Sequence, residues 1–258
     1  MKQLNQFINE YIIKKKLDKP IDSEDHYEYF PKTKQELIDN IKELLDKGET
    51  DLNCIDTSSI TDMSNLFKSS DISTTIDISK WDVSNVTNMS NMFYNCEKIN
   101  FDLSSWDVSK VENMSYMFCD CKKLNCDLSK WNVSNVKNMS HMFYACINLD
   151  YDLSNWNVSN VKDMKYMFYK CENFTGKGLD KWDVSKVENM QDMFEDCEKF
   201  EGNGLENWDV SNVLNMEYMF RKCKKLNFDL SNWNVSKVKN TYNMFYGCNN
   251  LKNIPSWY

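Results

Sequence analysis

The stretch that decides the fold is Trp106-Asp107-Val108-Ser109-Lys110-Val111-Glu112-Asn113-Met114-Ser115-Tyr116-Met117-Phe118-Cys119-Asp120-Cys121-Lys122-Lys123-Leu124-Asn125-Cys126-Asp127-Leu128-Ser129-Lys130. It recurs along the chain. Trp81, Trp106, Trp131, Trp156, Trp182, Trp208 and Trp233 each open a copy, at a spacing of 25 residues that lengthens to 26 in the copies beginning at Trp156 and Trp182. A short fixed period overrides the usual reading of 258 residues as one or two ordinary domains and points to a stack of like units.

Two periods alternate inside a copy. Met114, Met117, Phe118 and Cys121 stand at i, i+3, i+4 and i+7, which predicts a short helix with one apolar face. Asn113, matched by Asn88, Asn138, Asp163, Asn189, Asn215 and Asn240, is the residue type that caps such a helix or turns the chain into it. Leu124, Cys126 and Leu128 then alternate with Asn125, Asp127 and Ser129, the period of a strand. One helix and one strand cannot bury their apolar faces alone, whereas stacking copies pairs each strand in parallel with its neighbours. The expected fold is an α/β solenoid of right-handed sense, with a parallel β-sheet and a short helix in every copy. Gly176, Gly178, Gly202 and Gly204 fall in the strand of the two longer copies, where an extra residue beside glycine predicts a bulge.

The flanks are less regular. Leu4, Phe7, Ile8, Tyr11 and Ile12 predict an amphipathic helix over residues 1–17. A second helix follows Pro31, with a capping box from Thr33 and Glu36, Gly48 past its end, and an apolar face of Leu37, Ile38, Ile41, Leu44 and Leu45. Residues 1–50 are therefore read as an N-terminal helical cap and 51–258 as the repeats. The repeats comprise a degenerate copy over 55–80 and seven tryptophan-led copies over 81–258.

At 41% hydrophobic and 27% charged, with a mean hydropathy of -0.64, the chain can bury a core and keep a polar surface. A net charge of -8 disfavours nucleic acid or an anionic membrane as partner. No run of about 18 apolar residues predicts membrane insertion. The first residues lack the order of a secretory signal, so a cytoplasmic location is expected. Cys96, Cys121, Cys146, Cys171, Cys197, Cys223 and Cys248 hold one repeat position, which predicts a column of buried, reduced thiols. Zinc is the alternative reading of Cys119, Cys121 and Cys126, but they lack the paired spacing of a zinc site. No metal or cofactor is expected. The only histidines are His26 and His141, and no phosphate loop or nucleophile-base pair stands outside the repeated frame, so the chain is read as a non-enzyme.

Three repeated features could bind a partner. Tyr94, Tyr116, Tyr144, Tyr166, Tyr169, Tyr218 and Tyr246 lie opposite the Met-Phe stripe, either as an interface or as rings stacked on one another. Asp77, Asp102, Asp127, Asp152 and Asp229 form a carboxylate column that could meet a basic partner or calcium, although an Asx turn in each Asp-Leu-Ser is the simpler account. The copy carrying Glu188, Asp192, Glu195, Asp196, Glu198 and Glu201 is the most acidic, which makes it a candidate site for a basic partner.

The pattern Trp-Asp/Asn-Val-Ser-x-Val-x-Asn-Met-x-x-Met-Phe-x-x-Cys-x-x-Leu-x-x-Asp-Leu-Ser, over residues 55–257, closely resembles the BspA-like leucine-rich-repeat proteins. The resemblance is to the branch with 25-residue repeats first grouped as a mycoplasma family of unknown function, and the lead-in Tyr29 to Leu37 looks like that family's usual start. It implies a bacterial leucine-rich-repeat solenoid, often a surface protein adhering to host proteins or other cells. The sequence is thus read as a monomeric, non-catalytic protein-protein interaction module, an adhesin or host-interaction protein. The alternative is an intracellular scaffold or inhibitor.

Overall fold

The computed structural model describes residues 27–69, 76–96 and 102–258. The helix expected over residues 1–17 lies outside the described residues. Helix α1, Lys34–Lys47, forms where its punctuation predicts. The Glu36 amide donates to Thr33 Oγ1 at 3.2 Å, while the Glu36 carboxylate accepts from the Lys32 amide at 2.6 Å. Gly48 closes the helix at φ 93°, a conformation open to glycine, and its predicted apolar face of five residues is buried.

The repeats stack, but not as a sheet. Among the described residues there is no strand, one α-helix and two single-turn 3-10 helices; copies meet instead through isolated parallel bridges such as Asn88 to Asn113 and Asn113 to Asn138. The expected parallel β-sheet and the helix in every copy are both wrong, and the handedness drawn from a strand-crossover-strand rule loses its basis with them.

The backbone amides explain why. Within Met114 to Cys121, the N–H groups of Met117, Cys119 and Cys121 turn back to the carbonyls of Met114, Tyr116 and Phe118 at 3.2, 3.2 and 3.0 Å. The alternate N–H groups of Met114, Tyr116, Phe118 and Asp120 donate to Asn138, Ser140, Met142 and Tyr144 of the next copy at 2.7 to 3.0 Å. Three-residue turns leave no i to i−4 helix. Farther along, Leu124, Trp131 and Val136 also close local turns, and the amides of Ser129 and Ser134 go to Asp127 and Asn132 side chains. These turns break the segment into short pieces, and no ladder forms. Leu124, Cys126 and Leu128 are nonetheless buried, with Asn125 and Asp127 exposed, so the period of two records burial without a strand.

The predicted bulge is also corrected. The extra residue of the longer copies is absorbed by the 3-10 turns Leu179–Lys181 and Leu205–Asn207, each preceded by a left-handed glycine. A Cβ on Gly178 would sit 2.3 Å from the Ser154 amide nitrogen of the copy before. Glycine there permits both the turn and the close stacking.

The core is one continuous set of columns. Phe67, Phe93, Phe118, Phe143, Phe168, Phe194, Phe220 and Phe245 stack ring on ring at 5.6 to 5.9 Å. The tryptophan indoles bind copies together by donating to a carbonyl earlier in the chain, as Trp131 Nε1 does to Leu103, 28 residues back, at 3.0 Å and Trp156 Nε1 to Leu128, also 28 residues back, at 2.9 Å. Ring burial of this kind is the main stabilising term, and the buried indole N–H is not left unpaired.

Candidate functional site

The surface features expected to bind a partner sit on the turn segment that follows each bridge. Its backbone is left-handed at two positions in each copy, four residues apart: Tyr116 and Asp120 at φ 58° and 59°, His141 and Ala145 at 57° and 55°, Tyr166 and Lys170 at 57° and 56°, Asp192 and Asp196 at 53° and 59°, Tyr218 and Lys222 at 53° and 59°. Bulky residues resist that conformation, and the hydrogen bond from each such amide to the next copy holds them in it. Successive copies thereby aim their side chains into register.

The result is a pair of ring columns. Tyr116, His141 and Tyr166 stack face to face at 4.1 and 4.6 Å, and beside them Tyr144 and Tyr169 stack at 4.6 Å. Tyr94 lies 6.4 Å from Tyr116 and carries Lys68 over its ring, while Arg221 lies over both Tyr218 and Tyr246. The five stacked rings are half-buried. Burial pushes the Tyr144 hydroxyl up to about 12 and the His141 imidazole down to about 4, with Lys165 adding to the histidine's shift. His141 Nδ1 is buried without a hydrogen-bond partner. Of the two sequence readings of the tyrosines, stacking holds for Tyr116, Tyr144, Tyr166 and Tyr169.

The acidic candidates fare differently. Asp192 and Glu195 are 3% exposed, and Glu195 meets Arg221 of the next copy at 2.5 Å. Asp196 pairs with Lys222 at 3.2 Å and Glu198 with Lys224. Three of the patch's six carboxylates, Glu195, Asp196 and Glu198, are therefore answered within the chain by the copy 26 residues on. Burial, with the Asp192 carboxyl beside it, pushes Glu195 up to about 8 even though Arg221 pulls the other way. The Tyr166 hydroxyl accepts from Gln191 Nε2 at 3.4 Å, and Asp192 Oδ2 is buried without a hydrogen-bond partner.

The carboxylate column is explained by the chain itself. Asp77, Asp102, Asp127, Asp152 and Asp229 each accept the amide of the serine two residues on, at 2.8 to 3.0 Å. These are Asx turns, and the same turn recurs at Asp107 and at Asn113. No group of metal-ligating side chains is present among the described residues. Cys121 and Cys119 diverge: the first donates to the Phe93 carbonyl at 3.0 Å, while the second approaches Asp120 at 3.7 Å.

The repeat column of cysteines has a role the sequence reading missed. Cys96, Cys121, Cys146, Cys171, Cys197, Cys223 and Cys248 each donate to the phenylalanine carbonyl of the preceding copy at 2.9 to 3.1 Å. The carbonyls from Phe93 to Phe220 also accept the amide of the cysteine in their own copy, as Phe143 does from Cys146 at 2.9 Å, so the thiol is a second donor from the next copy.

The model of a family described as "Mycoplasma protein of unknown function, DUF285" matches residues 35–127, 61–179 and 168–258. The chain belongs to this family. The DUF285 matches overlap and together run from within α1 through the last copy, so one family frame takes in both the helix and the stacked turns. No curated protein matches the chain. No helix among the described residues is long and apolar enough to cross a membrane.

Proposed function

We propose that this protein is a non-catalytic protein-binding module whose contact surface is the stacked array of Tyr116, His141, Tyr166, Tyr144 and Tyr169. The observation that carries the reading is the stacking itself, at 4.1 to 4.6 Å within each column. Rings held in register by a covalently continuous frame lose little freedom on binding, and tyrosine combines apolar area with a polar tip. The resemblance to BspA-like proteins makes a bacterial adhesin or host-interaction protein the first form of this reading. The second, an intracellular scaffold or inhibitor, is favoured by the ten free thiols, seven of them already engaged as donors, which suit a reducing compartment.

A photo-crosslinking residue at Tyr144 or Tyr169, in cells of the source organism, tests the surface. Discrete crosslinked proteins that vanish when Tyr116 and Tyr166 are replaced by serine, with the circular dichroism unchanged, support it. Equal crosslinking in the serine variant contradicts it. Protease treatment of intact cells separates the two forms: cleavage while a cytosolic control survives supports the adhesin, and protection until lysis supports the intracellular protein.

A further inference from the structure

We infer that the protein carries a second binding surface, a groove for a short acidic peptide segment with an apolar residue at its centre. The groove is lined by Lys162, Lys186, Glu188, Asn212, Leu214 and Lys237, on the turn that precedes the bridging asparagines, and Lys239 follows Leu214 in the same column. Lysine recurs here without carboxylate partners. Lys186 Nζ donates to Asn160 Oδ1 at 2.7 Å and Lys237 Nζ to Asn212 Oδ1 at 2.6 Å. Those asparagines are themselves fixed by donating to the Ser134 and Ser185 carbonyls at 2.8 Å. The ammonium groups are thus positioned by neutral oxygens and not neutralised.

The contrast with the rest of the molecule is what gives the groove its meaning. Lys137, one copy back in the same column, pairs with Glu112 at 2.7 Å, and Arg221, Lys222 and Lys224 all meet carboxylates of the preceding copy. Among the described residues, Lys162, Lys186, Lys237 and Lys239 form no ion pair; the nearby carboxylates are Glu188 in the groove and Asp209, which feels Lys237. A chain of net charge -8 leaves this basic strip unanswered. At its centre Leu214 stands 37% exposed where the other copies place threonine, glutamate or lysine.

Charge complementarity chooses carboxylates, and Leu214 chooses a peptide over a bare polyanion. The four lysines lie on copies spanning three steps of the stack, about 15 Å at about 4.8 Å per step, which about five extended residues cover. The acidic surroundings repel a long polyanion and tolerate a short segment. The surface does not depend on the tyrosine array.

The test uses the full chain and a fluorescein-labelled heptapeptide with one central leucine flanked by three glutamates on each side, followed by anisotropy. Saturable binding is expected, weakened at least about tenfold by K162Q/K186Q/K237Q/K239Q together and by raising salt from about 50 to 200 mM. Substituting Lys122, Lys123 and Lys225 by glutamine, as a charge control elsewhere, should leave binding within about twofold, as should serine at Tyr116 and Tyr166. No saturable binding by the wild type, or equal loss in the charge control, overturns the proposal. A heptaglutamate that binds as well as the leucine peptide overturns the apolar centre, and inorganic polyphosphate that binds more tightly than the peptide overturns the peptide assignment. Unchanged melting of the lysine variant shows that lost binding is not lost folding.

Discussion

Cys171 and its equivalents show how one side chain carries more than its volume. The Cys171 thiol donates to the Phe143 carbonyl at 3.0 Å in a fully buried site. That carbonyl also accepts the Cys146 amide at 2.9 Å, so Cys171→Ala removes the second of its two donors and should cost about 0.5–1.5 kcal/mol, whereas Cys171→Ser keeps a donor and should cost less. Chemical denaturation distinguishes them: serine worse than alanine would mean the thiol only fills space. Two buried titrating groups give opposite pH effects. Glu195 is pushed up to about 8, so between about 4.3 and 8 the native state holds a proton the unfolded chain has released, and its contribution is lost as pH rises through that window. Glu195→Gln should therefore raise the melting temperature relative to wild type at pH 8 to 9 and change little near pH 4; the same offset at both ends would contradict the raised Glu195 carboxyl. His141, lowered to about 4 from 6.5, costs stability as pH falls between those values. His141→Phe should relieve that acid-side loss and leave the alkaline side unchanged.

At the scale of the element, α1 was legible because its signals are local: a capping threonine, a glutamate three residues on, and a closing glycine. The repeat was legible in burial and not in backbone. Met114, Met117, Phe118 and Cys121 are all buried as their spacing predicts, yet a chain of tight turns with a left-handed residue at every fourth position yields the same spacing as a helix. The distinguishing signal lies in the outward columns, where Asn91, Asp192 and Asn243 hold one left-handed position and Asn95, Asp120, Asp196 and Gly247 the other. Those residue types favour left-handed backbone, and two such columns four apart argue for turns. Gly178→Ala tests the turn that absorbs the inserted residue. Its φ of 90° and the 2.3 Å approach to Ser154 predict a loss of at least about 1–3 kcal/mol, measured by urea unfolding. A neutral substitution would mean the 3-10 turn does not form.

Across the whole molecule, what the sequence hid were contacts that cross from copy to copy. The acidic copy looked like a free patch because its partners, Arg221, Lys222 and Lys224, stand 26 residues later, and only the stacking register brings the two together. Stacking of the tyrosines was one of two readings the sequence offered, but the place of His141 in the column was not, since it depends on the left-handed backbone that aims the rings. Shared hydrogen bonds make neighbouring copies one cooperative unit. Replacing Met142 and Phe143 by alanine should cost on the order of 5 kcal/mol and unfold several copies together; melting within a degree or two of wild type would contradict the core assignment. The most direct test of the stack is residue-resolved amide hydrogen exchange by NMR. The structure predicts that the Tyr116, Phe118 and Asp120 amides, bonded to the next copy, are as protected as those of Met117, Cys119 and Cys121, bonded within their own. Fast exchange at Tyr116, Phe118 and Asp120 beside protection at the other three would show copies that keep their turns without binding one another, and would contradict the account.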